Sequence, residues 1–172
     1  MKKVISIALA LCLCLVCFVG CGNKYKGWED QTLEDISFKV PPTWTVSKNE
    51  NNSASYYITK HSKNEEPSLT NDVFLQMKIY NKTLDELMEQ SRNNKYYTNV
   101  EEKETKIAGQ EAYHVIAETT GSDNYNSEVN DFYFKISENK SCRILISKLL
   151  STDIEFDKKE IDLFLDSIQI IK

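Results

Sequence analysis

Few residues in this chain have the types and spacing that chemistry needs. It has two histidines, His61 and His114. His61 opens His61-Ser62-Lys63-Asn64-Glu65-Glu66, where one imidazole and two carboxylates could bind a metal ion. No second ligand set at helical or hairpin spacing accompanies them, so the run reads as a solvated loop. His114 lies in an apolar strand pattern, on the side opposite Tyr113 and Val115. A histidine there is more often a surface or hydrogen-bonded residue than a base. Asp153-x-Glu155-x-Asp157 offers alternating carboxylates to Ca²⁺ but lacks the glycine and distal glutamate of a calcium loop, and Asp157 reads better as a helix cap. Asp123, Asn126 and Glu128 have a spacing expected by chance among 26 acidic residues. No Gly-x-Ser-x-Gly, glycine-rich phosphate loop or Cys–His pair occurs. On these grounds no catalytic residue, metal or cofactor is assigned.

The aromatic residues fit recognition better than catalysis. Tyr56-Tyr57 and Tyr96-Tyr97 are adjacent pairs, and neighbours in extended chain point to opposite faces. One tyrosine of each pair is therefore expected at the surface, where tyrosine suits binding. These four residues form the candidate binding surface. Cys142 sits in an apolar strand pattern and reads as a buried, inert thiol.

The N-terminus sets where any such surface would work. Lys2 and Lys3 precede an almost wholly apolar run from Val4 to Gly20, and no acidic residue occurs before Glu29. This is the layout of an export signal. Phe18-Val19-Gly20-Cys21 resembles the bacterial lipobox, with Phe18 in place of the usual leucine. The resemblance implies cleavage after residue 20 and attachment of a diacylglyceryl group to the Cys21 thiol, with palmitate among the acyl chains. Two acyl chains anchor stably where one does not. The expectation is a lipoprotein on the extracytoplasmic face of the cell membrane, or in the outer membrane of a diderm source. Cys12, Cys14 and Cys17 leave with the signal and Cys21 carries lipid, so Cys142 has no partner for a disulfide.

Removing Lys2 and Lys3 from the 21 basic residues leaves 19 against 26 acidic ones, a net charge of −7. With no basic patch, nucleic acid is excluded as a partner. Residues 21–31 read as the lipidated cysteine and a polar tether, and residues 32–172 as one domain. Trp28 either packs on that domain or touches lipid.

The domain alternates in strand fashion. Ile36, Phe38 and Val40 share a face until Pro41-Pro42 ends the strand. Trp44 and Val46 resume the alternation, with Trp44 expected in the core beside Phe38 and Val40. Further strands are expected over 54–59, 73–80, 101–107, 112–118, 131–137 and 141–149, with polar loops over 61–71 and 119–126. Thr83 and Glu86 form a capping box for a helix ending near Asn93-Asn94. Asp157 and Glu160 pair at the start of a last helix, with Ile161, Phe164, Leu165 and Ile168 as its stripe. This is an α+β pattern on a largely antiparallel sheet. Apolar residues on both faces of some strands call for a helix on each side.

Three segments in order resemble the PsbP-like fold, including its bacterial DcrB-type lipoproteins. They are Phe38-Lys39-Val40-Pro41-Pro42-Thr43-Trp44, Ile107-Ala108-Gly109-Gln110-Glu111-Ala112 and Phe164-Leu165-Asp166-Ser167-Ile168. The resemblance spans nearly all of 32–172, with Thr43 where glycine is common. It implies an α-β-α sandwich and a non-enzymatic, partner- or ligand-binding role, with an envelope protein or small molecule as partner. The competing reading is a membrane-bound hydrolase or metal-dependent enzyme of the cell envelope.

Overall fold

The computed structural model describes residues 24–48, 55–60, 73–120, 126–149 and 157–171. The export signal, Cys21, His61, Asp123, Asp153 and Glu155 lie outside the described residues. Among the described residues ten strands and two helices follow in order: β1 (Glu29–Leu33), β2 (Ile36–Val40), β3 (Thr45–Lys48), β4 (Ser55–Lys60), β5 (Val73–Tyr80), α1 (Leu84–Arg92), β6 (Tyr97–Ile107), β7 (Gln110–Thr120), β8 (Asn126–Ser137), β9 (Lys140–Leu149), α2 (Lys158–Ser167) and β10 (Gln169–Ile170). A seven-stranded sheet has the order β3-β4-β5-β9-β8-β7-β6, and a three-stranded sheet the order β1-β2-β10. Every strand pairing is antiparallel.

Register divides the large sheet into two faces. Phe132 and Phe134 stand opposite Ile144 and Cys142, which stand opposite Met77 and Ile79. These side chains are buried on one face with Leu75, Ile58 and Tyr56, and the small sheet adds Leu33, Ile36, Phe38 and Val40. α2 closes this core with Phe164 and Ile168. Its N-cap Asp157 accepts from the Lys159 backbone N–H at 2.8 Å. Glu160, expected to help at the cap, instead accepts from the indole N–H of Trp44 at 3.3 Å, which joins α2 to the turn before β3. Trp44 is buried, 5.6 Å from Phe164 between ring centres. The Trp44 N–H donates to the Pro41 carbonyl at 3.1 Å, so Thr43 completes this turn without a glycine.

On the opposite face, α1 lays Leu84, Leu87 and Met88 against Val115 and Tyr133. Its capping box is complete: Thr83 Oγ1 accepts from the Glu86 N–H at 3.2 Å, and Glu86 Oε2 accepts from the Thr83 N–H at 2.8 Å. The expected helix on each side of the sheet is present, and the fold is α+β on a largely antiparallel sheet.

The boundaries of several elements differ from the sequence reading. The polar segment expected as tether up to residue 31 already contains β1 from Glu29. Only Leu33 of β1 is buried, so main-chain pairing with β2 holds this strand and side-chain burial does not announce it. Likewise β6, β7 and β8 extend to Tyr97, Thr120 and Asn126, into residues whose polar side chains read as loop. An irregularity in β6 between Thr98 and Glu101 places Asn99 at φ 52. Ala108 and Gly109, at φ 53 and 74, make the two-residue hairpin turn that needs positive φ at both positions.

Candidate functional site

Among the described residues the core face is only partly covered. α2 and the small sheet leave a groove between the first turns of α2 and strands β7–β9, with a volume of about 330 Å³. Phe132, Ile146 and Ile161 supply apolar wall, and His114 and Asn130 supply polar groups. Alternation along β7 and β8 brings these together: His114 stands opposite Phe132, and Ile116 opposite Asn130. The His114 ring stacks on Phe132 at 4.1 Å and 12°, and its Nε2 lies 2.9 Å from Asn130 Oδ1. Asn130 Nδ2 donates onward to Glu128 Oε1 at 3.2 Å. Burial lowers the His114 pKa below the usual 6.5, so the ring is neutral at pH 7. At the rim Lys158 pairs with Asp162 at 2.7 Å.

Beneath α1 lies a second polar group, sealed rather than open. Asp131 is fully buried. The Arg143 guanidinium grips it with Nε at 2.9 Å from Oδ1 and Nη2 at 2.8 Å from Oδ2. Tyr97 and Tyr133 each donate a hydroxyl hydrogen bond to Asp131 Oδ2, at 2.9 and 2.5 Å. Tyr97 in turn accepts from Arg143 Nη2 at 2.9 Å. Burial, then the Asp131 charge, pushes both phenols far above their usual range. For Arg143 burial opposes the charge, yet the bonds to Asp131 outweigh it and keep the guanidinium protonated. The two phenols and the guanidinium are thus each held in one protonation state. That suits a structural clamp and not a proton-transfer site.

The sequence-derived tyrosines do not share a surface. Tyr56 is buried and donates to the Thr32 carbonyl at 2.8 Å, tying the two sheets together. Tyr97 belongs to the sealed clamp. Tyr96 is 60% exposed, and the side chain of Tyr57 lies outside the described residues. Tyr96 sits in the turn before β6 and faces outward, as one of its pair was expected to. Tyr56 and Tyr97 are engaged within the fold, and each pair was expected to turn one tyrosine inward. Cys142 is fully buried and its thiol pKa raised by that burial. Among the described residues no group of three His, Cys, Asp or Glu side chains converges on a metal position. No described helix is long and apolar enough to cross a membrane.

The sequence reading missed both polar groups. Arg143 carried a signal: it is one of two arginines in a lysine-rich chain and interrupts an apolar strand. Its partner could not be named, because Asp131 approaches it only through the β8–β9 register, where Arg143 stands opposite Tyr133.

No family model matches the sequence, and no curated protein matches it. Solved structures do. LpqN of Mycobacterium tuberculosis, described as involved in cell envelope biogenesis, superposes with a TM-score of 0.60 at 8% identity, covering 80% of this chain and 83% of that one. Cyanobacterial PsbP from Synechocystis superposes with a TM-score of 0.55 at 10% identity, covering 88% of this chain and 97% of that one. At these identities the likeness is one of fold.

Proposed function

We propose that this protein is a lipid-anchored extracytoplasmic module that binds a ligand in the groove beside α2 and has no catalytic activity of its own. The groove carries the reading. It pairs an apolar wall with a few fixed polar groups, the usual make-up of a binding pocket, and its volume is at the small end of the range of roughly 300–1,000 Å³. No serine, threonine or cysteine is among the described residues lining it, so none of these gives His114 a hydroxyl or thiol to activate. The lipobox-like segment supports the anchor, and the envelope role stated for LpqN supports an envelope setting.

The test is rescue of a strain lacking the gene. Wild-type protein and Glu89→Ala, on the exposed side of α1, should restore its envelope phenotype. Cys21→Ser, which removes the acceptor thiol, should lose acyl labelling and fail to rescue. Ile161→Glu, which puts a charge on the groove wall, should fail while remaining folded. Full rescue by Ile161→Glu would refute the groove as the working site.

A further inference from the structure

We infer, on the premise that the groove is a binding site, that its ligand is uncharged and joins an apolar body to a hydroxyl or N–H donor, for which His114 Nδ1 is the acceptor. The hydrogen bonds of Asn130 decide this. Only the amide nitrogen of Asn130 can donate to the Glu128 carboxylate, so the group 3.2 Å from Glu128 Oε1 is Nδ2. The amide oxygen then faces His114 Nε2 at 2.9 Å. An amide oxygen only accepts, so Nε2 carries the hydrogen. A neutral imidazole has one N–H, which leaves Nδ1 with a lone pair. Stacking on Phe132 holds the ring in that setting, and burial keeps it neutral at pH 7.

Among the described residues lining the groove, Glu128, Lys148, Lys158 and Asp162 balance in charge. Lys158 pairs with Asp162 on α2, and Lys103 pairs with Glu101 on β6 at 2.9 Å. Glu128 stands opposite Lys148 across the β8–β9 ladder, and behind the sheet Asp131 is neutralised by Arg143. An ionic ligand would find no excess charge of opposite sign among these groups, whereas Phe132, Ile146 and Ile161 offer a wall to an apolar ring or chain. A donor on that ligand meets a fixed acceptor. A ligand with only acceptors leaves Nδ1 unpaired on desolvation, which costs affinity.

The test uses the full chain in phospholipid nanodiscs, labelled uniformly with ¹⁵N, at pH 7.5. The probes are 2-naphthol and 2-methoxynaphthalene, which share an apolar body and differ in the O–H donor. Binding is read at the His114 nitrogens and the Ile161 amide, which partition of a probe into lipid does not move. The free protein should show Nε2 protonated and Nδ1 bare. 2-Naphthol should shift the Nδ1 signal and bind about three- to tenfold more tightly than its ether, the range one hydrogen bond supplies. An Nδ1–H tautomer, or equal affinities with both probes moving Ile161, would overturn the donor rule and leave the groove standing. If neither probe moved His114 or Ile161, the groove reading would fall and this inference with it.

Discussion

The two faces of the large sheet each combine one helix with a small set of polar residues, and they use them in opposite ways. Under α1, Asp131, Arg143, Tyr97 and Tyr133 satisfy one another and Asp131 has no exposed surface. Beside α2, His114 and Asn130 form a hydrogen bond that stops short of closure and faces a groove. The difference is one of cover among the described residues: α1 lies on β8 and β9, over the clamp, whereas α2 packs chiefly on β2 and leaves the groove beside β7 and β8 open. A satisfied buried network fixes geometry. A half-open one leaves hydrogen-bonding capacity for a partner.

The largest test of this contrast is Arg143→Met. It leaves the Asp131 carboxylate buried without its cation, a loss of about 3–5 kcal/mol that chemical denaturation would register. Adding Asp131→Leu should recover most of that loss, because the pair is then replaced by apolar volume. No recovery would mean that the clamp does more than hold the fold. On the α2 face, Trp44→Ala should also cost about 3–5 kcal/mol, since the indole fills core against Phe164. An unchanged denaturation midpoint would break the claim that this face depends on packing. Tyr97→Phe should cost roughly 1 kcal/mol, the value of one hydrogen bond, with little effect on groove binding.

The smallest expected effect is at His114. Its folded-state pKa is below the unfolded value of 6.5. As pH falls through 6.5 the unfolded chain takes up the proton first, so stability declines there until the folded ring is also protonated. His114→Gln should therefore change stability little at pH 7.5 and flatten the decline below pH 6.5. An undiminished acid slope in this variant would show that His114 is not the desolvated group.

Much of the fold was legible because its signals are local. The Thr83–Glu86 box, the proline stop at Pro41-Pro42, the Ala108-Gly109 turn and the stripe ending at Ile168 each act within a few residues. The ends of β1, β6, β7 and β8 were not legible, because polar strands at a sheet edge or beyond the core are held by main-chain bonds that leave no hydrophobic pattern. The site was less legible still. His114 was seen as hydrogen-bonded or exposed, and it is hydrogen-bonded and half-buried, but Asn130 and Phe132 reach it only through the β7–β8 register. For the paired tyrosines the limit is similar: alternation says that one side chain turns inward, not which partner it finds there.

The contrast between an open and a sealed face is tested most directly in living cells. A photo-crosslinking amino acid placed at Ile161, on the groove, or at Glu89, on the exposed side of α1, would report what each face touches in the envelope. The account predicts a discrete adduct from position 161 that is absent when Phe132→Trp fills the groove, and none of comparable yield from position 89. A dominant adduct from position 89, with position 161 silent, would contradict it and move the binding surface to the α1 face.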